Sequence, residues 1–226
     1  MSNLRIKILR AFIIFNYFLI ISCAQNPNII PSSYSTIFNS LSNSLFNKQE
    51  GISPEVIANI PYASSLINFK KSSKSLIILQ SKNSDIYTWV SSDKTIFFTE
   101  NGRIVGTIGL PNDLYKIKRP EISFSQILNG TSLTNYIAYY SFRKPELNNL
   151  RVEITVEVIG EQNIMLLEGE RSLILVEERL VSKKINWKTI NRFWIDPKNF
   201  FVWKSEQNIS PKLPILTFQT TKKPAL

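Results

Sequence analysis

The chain has 226 residues, with 27 Lys plus Arg against 17 Asp plus Glu, a single Cys and no His. That length suits one domain or two small ones, and it buries enough surface to need no disulfide framework or metal staple. Without histidine, a Ser-His-Asp triad, a Cys-His pair, histidine general-base chemistry and the usual catalytic zinc sites are excluded; with 43% hydrophobic and only 19% charged residues, so is a disordered polyelectrolyte.

Arg5, Lys7 and Arg10 form a positive opening segment, and Ala11 to Ile21 follows as an apolar run broken only by Asn16. As a helix that run would rise roughly 16 Å, about half of the ~30 Å hydrocarbon core of a bilayer. Residues 1–22 therefore read as a signal peptide rather than a spanning helix. The run ends Leu19-Ile20-Ile21-Ser22-Cys23, which resembles a bacterial lipobox: a small residue at the cleavage position, then the only thiol of the chain. Cys23 is the expected lipidation site, and its acyl chains are the expected link to outer-membrane lipid, because several chains on one terminus anchor stably where one is marginal. An ordinary signal peptide with a chance cysteine is the alternative. Ala24 replaces the Asp that retains enteric lipoproteins at the inner membrane, so the expected address is the outer membrane, facing the periplasm. Loss of Arg5, Lys7 and Arg10 lowers the net charge from +10 to +7.

Residues 23–50 read as the lipidated Cys followed by a Ser/Asn-rich tether. Within it, Ile37, Leu41 and Leu45 recur at helical spacing beside Phe38 and Phe46, predicting a short amphipathic helix from about Ser33 to Phe46. Ser53-Pro54-Glu55 supplies an N-cap, a proline at the first helical position and an acid at the positive helix end, so a one- or two-turn helix to about Asn59 is expected.

Residues 51–226 are expected to form a single all-β domain. Leu76 to Leu79, Ile86 to Val90 and Thr95 to Thr99 are short, apolar or β-branched, and bounded by Ser, Asn and Lys. Asn101-Gly102 stands between two such runs, the strongest short hairpin signal, because both turn positions need positive φ. Leu110 to Asn129 is the one long stretch with little strand character. Val152 to Val158 alternates strictly, Gly160-Glu161-Gln162-Asn163 breaks the pattern, Ile164-Met165-Leu166-Leu167 resumes it, and Leu173 to Val181 and Trp187 to Ile195 continue the series. Asp196-Pro197-Lys198-Asn199 turns the chain into Phe200 to Ser205. These elements predict a mainly β architecture of curved antiparallel sheets, sandwich or half-barrel, with one or two short N-terminal helices.

Catalytic groups do not gather along the chain. Glu153 and Glu157 share a strand face about 13–14 Å apart at ~3.4 Å per residue, too far for a glycosidase pair. Glu177 and Glu178 point to opposite faces, and Asp93, Asp113 and Asp196 sit beside turns, where capping is the default role. There is no Gly-rich phosphate loop or nucleophile elbow, and no cofactor or metal site is expected. Three basic groups stand out: Lys70-Lys71 with Lys74, Lys116 with Lys118 and Arg119, and Lys183-Lys184 with Lys188. They suit an anionic polymer or lipid head groups; nucleic acid is excluded as a partner by export. Trp89, Trp187, Trp194, Trp203, Tyr136, Tyr139 and Tyr140 fall within strands, where each fills a core or, if exposed, stacks on a sugar ring.

Several of these motifs form a pattern. Ile60-Pro61-Tyr62-Ala63-Ser64 and Trp89-Val90-Ser91-Ser92-Asp93 precede Asn101-Gly102-Arg103-Ile104-Val105-Gly106-Thr107-Ile108-Gly109-Leu110-Pro111-Asn112-Asp113-Leu114. Phe193-Trp194-Ile195-Asp196-Pro197 and Val202-Trp203-Lys204-Ser205-Glu206-Gln207 follow, with Lys222-Lys223-Pro224 near the end. Order and spacing resemble the YjbF-type, or group 4 capsule B, lipoproteins, apart from the middle, Lys116 to Leu150. The resemblance implies an outer-membrane lipoprotein of curved antiparallel sheets that serves capsule or exopolysaccharide production, with no catalytic residue to carry over.

Arg103, Asp113, Trp194 and Trp203 are the candidate binding residues. Arg103 is expected to brace Asp113 or Asp93, or to meet an anionic sugar; Trp194 and Trp203 are expected to stack across their hairpin. The resulting expectation is a lipid-anchored, non-enzymatic scaffold or glycan-binding module for capsule or exopolysaccharide assembly, with anionic polysaccharide or export-complex proteins as partners. A lipid or lipoprotein carrier with an apolar concavity is the alternative. A polysaccharide-trimming enzyme is a third reading, which requires two carboxylates about 5–9.5 Å apart.

Overall fold

Inward apolar residues alternating with outward polar ones, interrupted by turns, give a run of antiparallel strands. The computed structural model describes residues 54–70 and 72–224, all within the compact unit Ser42–Leu226. Helix α1 (Pro54–Ala58) precedes β1 (Ser64–Phe69), β2 (Ser75–Asn83), β3 (Ile86–Ser91), β4 (Ile96–Glu100), β5 (Arg103–Ile108) and β6 (Asp113–Lys118). After helix α2 (Phe124–Leu128) come β7 (Asn135–Arg143), β8 (Leu147–Leu166) and β9 (Gly169–Ser182). A 3-10 turn (Lys183–Ile185), β10 (Trp187–Ile195), β11 (Val202–Gln207) and β12 (Leu216–Lys222) complete the chain. Cys23, the tether, the Ser33–Phe46 helix and Ser53 lie outside the described residues.

All twelve strands belong to one sheet, ordered β5-β4-β3-β2-β1-β12-β11-β10-β9-β8-β7-β6. Each strand pairs antiparallel with its neighbour, and β1 joins β12. The sheet therefore curls until its two ends, β5 and β6, face each other as a nearly closed barrel. Inside it, Phe97, Phe142, Phe193, Leu114, Leu150 and Leu180 are all below 2% exposed. Helix α2 adds Phe124 and Ile127 to this core. Its start is held by a capping box, in which Gln126 N donates to Ser123 Oγ (3.2 Å) and Ser123 N to Gln126 Oε1 (2.9 Å).

The Asn101-Gly102 turn is as the sequence predicts, with φ of 49° and 76°. A Cβ on Gly102 would also stand 2.4 Å from Val202, so close approach and dihedral both require glycine. Two expectations are corrected. Leu110 to Asn129 holds both β6 and α2; β6 lies at an end of the sheet and exposes Tyr115, Lys116 and Lys118, so its composition reads as a loop. Residues 160–163 do not break β8, which continues through a bulge between Val158 and Gly160 where Gly160 has φ 130°.

No backbone ladder joins β5 to β6 among the described residues. Side chains close the seam. Asp113 Oδ1 accepts from Thr107 Oγ1 and Leu110 N at 3.0 Å each, and its Oδ2 accepts from Gly109 N at 3.2 Å. Thr107 Oγ1 in turn accepts from Leu114 N at 3.0 Å, so one carboxylate and one hydroxyl stand in for the missing ladder. Asp113→Ala is expected to cost about 2–4 kcal/mol, because buried N–H and O–H groups lose a charged acceptor. Urea unfolding of the variant would check this, and an unchanged midpoint would show that the seam is held by packing alone.

Candidate functional site

Arg103 begins β5 on its inward face and Glu178 lies on the inward face of β9; they are 4% and 3% exposed. Arg103 Nε donates to Glu178 Oε1 at 2.8 Å and Nη1 donates to the Ile122 carbonyl at 3.1 Å. Nη2 stands 2.7 Å from the same carboxylate oxygen, too bent for a second hydrogen bond. The guanidinium lies over the Phe124 ring at 3.9 Å, and the Tyr136 hydroxyl reaches Glu178 at 3.4 Å. Arg103 thus braces neither Asp113 nor Asp93: the pleat that turns it inward points it across the lumen, where Glu178 supplies the opposite charge. Burial first, and then the charge of Glu178, push the Tyr136 and Tyr140 phenols above their ordinary range.

A cavity of ≈ 20 Å³ adjoins the pair, lined in part by Arg119, Asn191 and Gln207. That is room for one water and not for a sugar or an acyl chain. Gln207 pins the neighbouring hairpin, accepting from Ile104 N and donating to the Gly102 carbonyl, both at 2.9 Å. The lumen around Arg103 is a structural strut.

Trp194 and Trp203 point to the other side of the sheet and form a second apolar cluster with Leu166, Leu173 and Leu175. The register sets Trp194 opposite Lys204, with a bulge before Ile195, so the expected indole stack is replaced by other partners. Trp194 Nε1 donates to Gln162 Oε1 at 3.1 Å, Phe201 meets Trp203 edge-on at 5.1 Å, and Arg171 covers Trp203 at 4.0 Å. At 7% and 8% exposure neither indole offers a face to a sugar. The remaining acids behave as turn caps. Asp93 accepts from Ser91 Oγ and Thr95 N, and Asp196 from Lys198 N. Burial opposes ionisation at both, yet these hydrogen bonds hold both carboxyls below the usual range.

The outer face across β6 to β10 is different in character. Lys118, Tyr139 and Arg151 are successive cross-strand neighbours, and Ile137, Glu153, Val181 and Lys188 form the adjacent row. Lys116 precedes Lys118 on the same face, and Lys183 and Lys184 lie exposed at the end of β9. The hydrogen bond from Arg151 and the charge of Lys183 hold the Glu153 carboxyl below its usual range, as expected of a positive surface. At its margin Arg143 stacks on Tyr115 at 4.0 Å, beside an open depression of ≈ 370 Å³ that Lys144, Glu146 and Asn148 also line. Two separate basic groups of the sequence are thus brought together with Arg143 and Arg151, which sequence reasoning missed. The alternation Lys116, Lys118 was the legible signal; the pairing of distant strands was not. Arg119 leaves the group and pairs with Glu100 at 2.5 Å. Among the described residues, no group of three or more acids or cysteines is placed to hold a metal ion.

Residues 34–221 match the family described as "Group 4 capsule polysaccharide lipoprotein gfcB, YjbF". The chain is 24% identical over 163 residues to the uncharacterized lipoprotein YjbF of Escherichia coli strain K12, covering 70% of this chain and 75% of that protein. It is 22% identical over 172 residues to the uncharacterized lipoprotein GfcB of the same strain, covering 73% and 78%. The crystal structure of the hypothetical lipoprotein YmcC from Escherichia coli K12 superposes with a TM-score of 0.68 at 17% identity, over 84% of this chain and 97% of that one. That last likeness is one of fold.

Two outcomes test the lumen. Arg103→Ala or Glu178→Ala is expected to cost about 3–5 kcal/mol, since each strands a buried charge, whereas Arg103→Met with Glu178→Leu costs much less than the two losses added; denaturant unfolding of the full cycle reads the difference. The raised tyrosines favour the neutral form in the folded state. Their contribution is whole below the unfolded phenol pKa of about 10 and declines as pH rises above it toward the folded values. Tyrosinate absorbance should show Tyr136 and Tyr140 ionising only as the protein unfolds in alkali.

Proposed function

The chain belongs to the group 4 capsule polysaccharide lipoprotein family, gfcB/YjbF, and from that membership we propose that it is a non-enzymatic accessory protein which holds acidic capsule or exopolysaccharide on its outer basic face. Acyl chains on Cys23 tether it to the outer membrane, where it faces the periplasm and works as a scaffold for assembly or export. The observation that carries this reading is the exposed row Lys118, Tyr139, Arg151 with Lys116, Lys183 and Lys188 around it. Cations repeated across strands ~4.8 Å apart match a polymer that carries charge along its length, and a half-exposed tyrosine gives the sugar rings an apolar surface.

The carrier reading has less to rest on. An acyl chain needs an empty apolar space, and Phe97, Phe142 and Phe193 fill the inward face of the sheet at below 2% exposure.

Lys118→Ala with Arg151→Ala and Lys183→Ala is expected to weaken binding to immobilised polygalacturonate about tenfold at low salt, a gap that closes near ~1 M salt. Lys74→Ala with Lys82→Ala and Lys212→Ala removes the same charge elsewhere and should bind almost as the parent does. Equal losses in the two triples would reduce the row to net charge and defeat the proposal. In a deletion strain, surface polysaccharide should fall while periplasmic polysaccharide accumulates, with Cys23→Ala reproducing the defect; unchanged amount and distribution would defeat the export role.

A further inference from the structure

The β8–β9 hairpin runs beyond the sheet to which it belongs. Pairing of β7 to β8 ends at Asn135 opposite Thr155, with one last bond from Val156 N to the Thr134 carbonyl at 2.7 Å. β8 continues to Leu166 paired with β9. Among the described residues, the backbone from Glu157 to Met165 therefore has a strand on one side and no ladder on the other.

This edge is not a loose flap. The cluster of Leu166, Leu173, Leu175, Trp194 and Trp203 fastens the hairpin to the outer face of β10 and β11, and Gln162 accepts from Trp194. Two of the largest side chains in the protein are spent on bracing the projecting end of this hairpin. A braced edge has already lost its conformational entropy, so a strand added to it meets a preformed template.

The side chains say what kind of strand fits. Val158, Ile159 and Met165 are 46%, 45% and 72% exposed, and Leu133, just before β7 begins, is 61% exposed. Natural edges are usually blunted by lysine or proline. From Val152 to Glu170 there is no Lys, Arg or Pro, in a chain with 27 Lys plus Arg. The charges in the extension are Glu157, Glu161, Glu168, Glu170 and Arg171; among the described residues, Glu168 alone of these acids has a cation, Arg171 at 3.1 Å. A second copy would bring the same acids to this edge and no lysine.

We propose that the free edge of β8, residues 157–165, takes an extended segment of a partner protein in which apolar residues alternate with lysine or arginine. Main-chain hydrogen bonds continue the sheet; on one face the apolar side chains cover Val158 and Met165, and on the other the basic ones answer Glu157. The surface is separate from the basic face of β6 to β10 and stands whether or not that face binds polysaccharide.

The test uses the full chain and two soluble synthetic peptides, one alternating valine with lysine and one alternating valine with glutamate. The lysine peptide is expected to bind about tenfold more tightly and to slow amide hydrogen exchange in residues 157–165, leaving β6 and β7 unchanged. Glu157→Lys with Glu161→Lys, both at exposed positions, should reverse the preference. Equal binding of the two peptides, or protection that falls elsewhere, would overturn the proposal. So would concentration-dependent protection of the same amides in the protein alone, which would assign the edge to a second copy.

Discussion

A sheet of twelve strands that curls on itself brings its two end strands face to face, and the rest of this protein depends on how that junction is made. A ladder would have required β5 and β6 to run in register. Instead Asp113 collects the amides and hydroxyl that the turn after β5 leaves open, and Gln207 ties the other end of β5 to β11. Side-chain closure tolerates the tight turn Gly109–Asn112 between the two end strands.

Closure also decides what the lumen can be. Once the ends meet, inward residues are cut off from bulk water, and the one arginine that β5 sends inward must find a counter-charge on the far wall. Glu178 supplies it, Phe124 covers it, and Tyr136 completes the polar cluster. Such a pair is costly to desolvate and still more costly to break. It holds opposite walls at a set distance while aromatic side chains occupy the remaining space, so contacts with other molecules are left to the outside.

The outside is divided by charge. Cations gather on the face of β6 to β10, while the extension of β8 carries acids and exposed apolar side chains on an unladdered edge. The two tryptophans that stood as candidate binding residues serve the second of these surfaces, as the cluster that fastens the extension down. In the roles proposed above, one surface takes a polyanion and the other a protein strand, which would equip the protein to join the two.

Features set by near neighbours were legible in the sequence. The Asn101-Gly102 turn, the alternation from Val152 to Ile154 and Val156, the proline-initiated helix α1 and the capping acids at Asp93, Asp113 and Asp196 each depend on dihedral preference or on groups a few residues away. So did the mainly β character and the family. Features that depend on which distant strands become neighbours were not. Arg103 meets a residue 75 positions away, Trp194 is covered by a hairpin that the Gly160 bulge carries onward, and Lys118 lies in line with Arg151 only because β7 runs between them. Local sequence determines which face of a strand a side chain takes, since the pleat has a period of two; only the closed sheet decides whether that face is lumen or solvent, and what stands across from it.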